Sequence, residues 1–219
     1  MLKIDLHTHS IISHDGGIAA EDYEMMITSG KLDCIAITDH NETRFARILH
    51  KKLGDRIIVG EEISTKEGEI IGLFLKETIP GGGSIDEAIT NIRLQGGIVY
   101  LPHPFETFRK GVQPDVADRI KDTIAIVEVW NGRGRFRGKP KQAEQFAIRN
   151  DLPQAASSDA HHKRGLGYTY SLISEIPTRT SLEKLLRNGG LEKKYAPFYT
   201  FFYPAINRIK NKIVLTGEQ

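Results

Sequence analysis

Five histidines and several carboxylates in this chain share one habit: each stands just past the end of a short apolar run. The first run leads into His7-Thr8-His9, with Asp15 following beside Gly16-Gly17. Residues two apart on extended chain face the same side, so His7 and His9 can reach one ion together. Residues 34–38 lead into Asp39-His40, and 57–59 into Gly60-Glu61-Glu62. Residues 98–101 lead into Pro102-His103-Pro104, and 124–127 into Glu128. The last run, 154–157, leads through Ser158 into Asp159-Ala160-His161. A buried strand has no packing reason to end in an ionisable residue six times over. Converging imidazoles and carboxylates suit zinc, manganese or iron.

Those residues need a frame that brings six strand ends together. Strands are expected at 2–6, 34–38, 56–65, 69–75, 98–101, 124–130 and 154–157. Only 56–65 and 69–75, joined by a turn at 66–68, look like a hairpin. Helices are expected at 19–29, 43–53, 114–121, 141–150 and 181–188. One more starts at Ser84, where Ser84-Ile85-Asp86-Glu87 fits a capping box, and stops at Gly96-Gly97. This alternation predicts an α/β fold with a mainly parallel sheet. In a parallel barrel the C-terminal strand ends meet at one mouth, where active sites lie.

The chain has 219 residues, 39% hydrophobic and 26% charged, as in a soluble globular protein of one domain, or one domain with a tail. The single cysteine, Cys34, excludes an internal disulfide framework and a cysteine-built zinc knuckle. A formal net charge of +2 gives little support for a polyanionic partner. No stretch reaches the roughly 18 apolar residues of a membrane helix, and the N-terminus does not read as a signal peptide. A cytoplasmic protein is expected. The frame is assigned to 1–190 and a tail to 191–219, where Tyr195, Phe198, Tyr199, Phe201, Phe202 and Tyr203 crowd together. That tail either packs on the barrel or meets a partner or membrane surface helped by Arg208, Lys210 and Lys212.

Taken in order, DLHTHS, an Asp followed by Gly, Thr-Asp-His, the Gly-x-Glu of GEEIS, LPHPF and Ser-Asp-Ala-His form a set of motifs. Through them the chain resembles the PHP (polymerase and histidinol phosphatase) superfamily of metal-dependent phosphoesterases, over roughly residues 2 to 175. The resemblance implies a distorted (β/α)7 TIM-like barrel holding two or three divalent ions (Mn, Zn or Fe). It implies that His7, His9, Glu62 and Asp159 hold one ion, that Glu62 bridges to a second on His103, and that Asp15, His40 and His161 hold a third. Glu128 stands where many relatives place His or Cys on the second ion; as a ligand it would harden that site toward Mn or Fe. Several relatives carry a His in the strand that here reads Glu69-Ile70-Ile71-Gly72-Leu73, and this chain has none there.

Some assignments stay open on the residues alone. Alternation lets only one of Glu61 and Glu62 point inward, and Gly-x-Glu favours Glu62. His14 is an alternative ligand beside Asp15. Asp39 reads as support for His40, His50 as surface, and His162 as surface or a phosphate contact.

The implied chemistry is hydrolysis of a phosphate ester by a metal-bound hydroxide, with Asp159 or the carboxylate of Glu62 accepting the proton. Arg133, Arg135 and Arg137 follow the Glu128 strand, Arg109 and Lys110 follow His103, and Arg164 follows His161. Arginine suits bidentate phosphate contact, so Arg133, Arg135, Arg109 and Arg164 are candidate substrate ligands, a solvated loop being the alternative. The expected substrate is a small phosphorylated molecule. A 3′–5′ exonuclease acting on nucleic acid and an inactive metal-stabilised binding module are the competing readings.

Overall fold

The protein, seen in a computed structural model, is described over residues 1–107 and 110–216, with side chains as far as Lys210. Arg109 lies outside the described residues, and so does the Lys212 side chain. Short strands rich in Ile, Val and Leu form because each can bury both faces, one against helices and one inside a barrel. They are β1 (Leu2–Asp5), β2 (Cys34–Ile37), β3 (Ile57–Ser64), β4 (Glu69–Leu73), β5 (Ile98–Leu101), β6 (Ile126–Asn131) and β7 (Gln154–Ser157). The sheet order is β7-β6-β5-β4-β3-β2-β1-β8-β9, where β8 is Thr169–Ile173 and β9 Gly190–Lys193.

Six of the seven barrel strands run the same way. The exception is β4, antiparallel to β3 and β5, as the hairpin signal predicts. At the mouth the ring closes between the chain leaving β1 and the chain leaving β7. Thr8 bridges Ala160 in parallel, Asp159 N donates to His7 O, and His9 N donates to Ala160 O, each at 2.9 Å. Lower down, β8 wedges in antiparallel to β1, and the Ser171 hydroxyl ties it to Ala156 of β7. A reversed strand and a wedge make this a distorted TIM-like barrel.

Helices α1 (Ala20–Thr28), α2 (Arg44–Leu53), α3 (Ile85–Leu94), α4 (Pro114–Ile120) and α5 (Pro140–Arg149) follow the expected pattern. Ser84 caps α3 as its capping box requires, accepting from Glu87 N at 3.2 Å while Glu87 Oε2 accepts from Ser84 N. After α6 (Leu182–Arg187) and β9, a 3-10 turn at Phe198–Phe202 leads into α7 (Tyr203–Thr216). No helix among the described residues is long and apolar enough to cross a membrane.

Two apolar clusters make the core. One lies between sheet and helices; the other fills the barrel with Ile4, Ile58, Ile71, Leu73, Ile126 and Ala155 among its members. Side chains alternate along a strand, so the parity of these interior residues foretells what reaches the mouth. Ile58 leads through Gly60 to Glu62, Ile126 leads to Glu128, and Leu73 leads back along the reversed β4 to Glu69. The interior therefore turns from hydrocarbon to carboxylate within one or two pleats.

Candidate metal centre

The closure between β1 and β7 holds the His7–His9 segment extended. Thr8 turns away, its hydroxyl donating to Ala36 O at 2.7 Å, and both imidazoles turn inward, fully buried. Their Nε2 atoms face each other 3.1 Å apart. Glu62 Oε2 lies 3.3 Å from His7 Nε2, 3.2 Å from His9 Nε2 and 3.4 Å from His40 Nδ1; its Oε1 lies 2.9 Å from His103 Nε2. Asp159 Oδ1 lies 3.6 Å from His7 Nε2 and 3.4 Å from both His9 Nε2 and His161 Nδ1. Asp15 Oδ1 reaches His161 Nε2 at 3.4 Å and His40 Nε2 at 3.7 Å.

These spacings fit metal ions. Atoms bound about 2.1 Å from one tetrahedral ion stand roughly 3.4 Å apart. Three donor groups converge closely enough: His7 with Glu62 and His103; His7 with His9 and Asp159; and His9 with His40 and His161. A fourth, at the rim, joins Asp15 and His40 to the exposed His14. His9 Nδ1 and His40 Nδ1 are buried without a hydrogen-bond partner, and so many buried carboxylates need positive charge nearby.

Electrostatics follow from this crowding. Burial works against the charged form of His9, yet the carboxylates of Asp159 and Glu62 outweigh it and lift His9 to about 9. Burial instead prevails at His40, lowered to about 4, and at His161, lowered to about 3 with the Arg133 charge adding to it. Burial would raise Glu62, but His7, His40 and His103 hold it well below the usual carboxylate range. Glu69 is pushed up to about 7 by burial and by the charge of Glu62.

Comparison with known proteins places this arrangement. Residues 140–189, which contain Asp159 and His161, match the PHP-associated family model. An uncharacterized protein of Methanocaldococcus jannaschii is 34% identical over 187 residues, 80% of this chain and 72% of its own. A second from the same organism is 36% identical over 169 residues, 71% of this chain and 96% of its own. A two-domain protein of Bacteroides vulgatus, containing a predicted PHP-like metal-dependent phosphoesterase, superposes with a TM-score of 0.70. It is 19% identical, and the match covers 94% of this chain and 69% of that one. Residues 140–189 thus match a PHP-associated family, and the fold is that of PHP-like metal-dependent phosphoesterases.

Within this PHP-like barrel, alternation decides between the two neighbouring glutamates. Glu62 points into the cluster, while Glu61 points outward and accepts from Ile79 N at 2.9 Å. Asp39 accepts from Ser10 N and the Ser10 hydroxyl, behind His40. Glu128 is buried but joins none of the converging groups. Its Oε1 lies 3.2 Å from His7 Nδ1, on the far side of that ring, and also accepts from the Tyr100 hydroxyl. Its Oε2 accepts from His103 N at 2.6 Å and Asn131 Nδ2 at 2.9 Å.

The arginines divide. Arg133 is at the centre, its Nη1 3.4 Å from Asp159 Oδ1 and 3.2 Å from His161 Nδ1, in the wall of a cavity of about 420 Å³ over the cluster. Arg135 and Arg164, expected as substrate ligands, are turned away from that cavity. Arg135 lies 5.0 Å over the Tyr195 ring and Arg164 5.8 Å over Tyr199, aromatic faces that the sequence places far along the chain. Lys110 and Arg137 do line the cavity. His162 stacks on Tyr203, and His50, at the far end of the barrel, meets Ile57 O.

Four residues at or beside the centre were not singled out from sequence: Glu69, Asn131, Tyr100 and Asn207. Glu69 carries a signal in the sequence itself. It opens a strand antiparallel to β3, opposite Ser64, so its first residue and not its last faces the mouth. It lies 3.9 Å from both His40 and His103.

Proposed function

We propose that this chain is a phosphoesterase that hydrolyses a small phosphorylated molecule at a centre of three divalent ions. The observation that carries this reading is the convergence of His7, His9, Glu62 and Asp159 within 3.1–3.6 Å, with the Arg133 guanidinium at its edge. His7, His9, Glu62 and Asp159 would hold a first ion, Glu62 and His103 a second, and Asp15, His40 and His161 a third. Bound ions acidify water and neutralise phosphoryl oxygens, the two things that hydrolysis of an anionic ester lacks.

The protein does the rest. Glu128, on Nδ1 of His7, fixes the tautomer that leaves Nε2 free to ligate, the task a carboxylate performs behind a metal-bound histidine. It is an orienting residue here, not a ligand. Asn131 Nδ2, 3.2 Å from Asp159 Oδ2, steadies a carboxylate that accepts the proton released on attack, with Glu62 as the other candidate. Arg133 offers planar donors to a phosphoryl group entering beside Asp159.

The test is turnover after loading with Mn, Zn or Fe, using p-nitrophenyl phosphate, bis-p-nitrophenyl phosphate, histidinol phosphate and single-stranded DNA. Monoester turnover with three ions counted by elemental analysis is the expected result. Cleavage of the diester or DNA in its place would make the protein a phosphodiesterase or nuclease. Ions bound with nothing turned over would make it a binding module.

A further inference from the structure

The C-terminal segment crosses the mouth of the barrel and is bolted to the loops that carry the candidate ligands. Asn207, buried, donates from one amide nitrogen to Asp15 O and His161 O, each at 3.0 Å. A side chain at Gly17 would meet that amide at 2.7 Å, so the loop after Asp15 admits Asn207 only because a glycine stands there. The Tyr203 ring lies flat on His162, centroids 3.7 Å apart. Arg137 of the barrel lies 5.7 Å over Phe201.

This bolting sets what the cavity is made of. The barrel contributes cations to its wall, Lys110, Arg133 and Arg137, above the buried donors. The C-terminal segment contributes Phe201, Phe202, Pro204 and Ala205, together with Arg208, whose Nη1 lies 3.9 Å from Asp15 Oδ2. One side of a cavity of about 420 Å³ is therefore apolar and largely aromatic, and the other is basic. A phosphate alone needs no aromatic wall. A phosphate ester whose alcohol is flat and apolar fills both sides, its ring against Phe201 and Phe202 and its phosphate toward the cations.

We propose that this segment selects the substrate: the ester hydrolysed at the metal centre carries an aromatic or similarly flat apolar leaving group, held by Phe202, with Arg208 as an added phosphate contact. The proposal rests on the phosphoesterase reading above and specifies its substrate class.

Calorimetry on the ion-loaded full chain, with benzylphosphonate and ethylphosphonate as non-hydrolysable probes, tests it without relying on turnover. Benzylphosphonate should bind about tenfold more tightly or better, the discrimination available to a ring in an apolar pocket. Phe202→Ala should abolish that preference while leaving ethylphosphonate affinity unchanged. Arg208→Ala should weaken both probes alike. Both positions are about half exposed, so neither substitution removes core packing, and unchanged thermal midpoints verify this. With benzyl and ethyl phosphate, alcohols of similar acidity, the same preference should appear in KM and not in kcat. Equal binding of the two probes, or a preference that survives Phe202→Ala, overturns the selection proposal and leaves the phosphoesterase reading standing. No binding of either probe, with no ester hydrolysed, overturns both.

Discussion

The two ends of the barrel are built from the same strands, and both carry many charges, yet they differ in kind. At the far end a groove of about 610 Å³ is lined by Arg44, Arg47, Lys51, Lys76 and Arg179, all exposed. Arg47 donates to Lys76 O, and Arg179 to Gly96 O, contacts that any surface arginine makes. At the mouth the cavity is smaller, but His7, His9, Glu62, Glu128 and Asp159 beneath it are almost wholly withdrawn from water. Neither cavity size nor charge count distinguishes a candidate site here. What does is ionisable groups buried against one another, because their desolvation cost must be offset by a ligand or by protons.

The two ends should differ most in consequence at Glu62. Glu62→Gln should lose bound ions and at least about 100-fold in ester turnover, beyond what supporting residues of metal ligands usually cost. Full ion content at the wild-type rate would show that the mouth is merely a buried polar network. Glu128→Gln should be milder. Removing the charge behind His7 should lower ion affinity about 10–100-fold in a chelator competition, with ion stoichiometry kept. Loss of one whole ion equivalent would instead make Glu128 a ligand.

At the other end, Arg47→Ala combined with Lys51→Ala should change turnover less than about twofold and stability by no more than about 0.5 kcal/mol. A tenfold fall in rate would mean that the two ends are coupled. The smallest effect is expected at Cys34, buried in the barrel interior, where burial pushes the thiol up to about 12 from 9.0. A raised pKa means that the protonated form is favoured by folding. Its stabilising contribution is complete below about pH 9 and is lost only as pH climbs toward 12. Iodoacetamide at pH 8 should therefore leave folded protein unlabelled while labelling it in denaturant. Rapid labelling of folded protein would show that the apolar half of the barrel opens readily.

Strand ends were legible in the sequence because the same event recurs: a short run of strand residues followed by His, Asp or Glu. Local signals also revealed the β3–β4 hairpin and the capping box of α3. The rest depends on contacts distant in sequence. Strand β8 carries Thr, Tyr and Ser, and owes its place to pairing with β1 and to the Ser171 hydroxyl. Arg135 and Arg164 looked like phosphate ligands because position after a strand end does not show that an aromatic ring from the last 30 residues takes the guanidinium. Asn207 contacts residues 192 and 46 positions away, so no local pattern could connect it to the mouth.

The reversed strand β4 has a consequence for how this chain finds its native state. Glu62 and Glu69 share the interior only while Ser64 pairs with Glu69 and Glu62 with Ile71. A hairpin slipped by one residue would turn one strand over relative to the other and offer the mouth an isoleucine or the wrong glutamate. An ion that binds only the native arrangement stabilises it by mass action and leaves the slipped one unaided. The divalent ions would then serve as proofreaders of β-pairing as well as reagents, and refolding yield would depend on their presence.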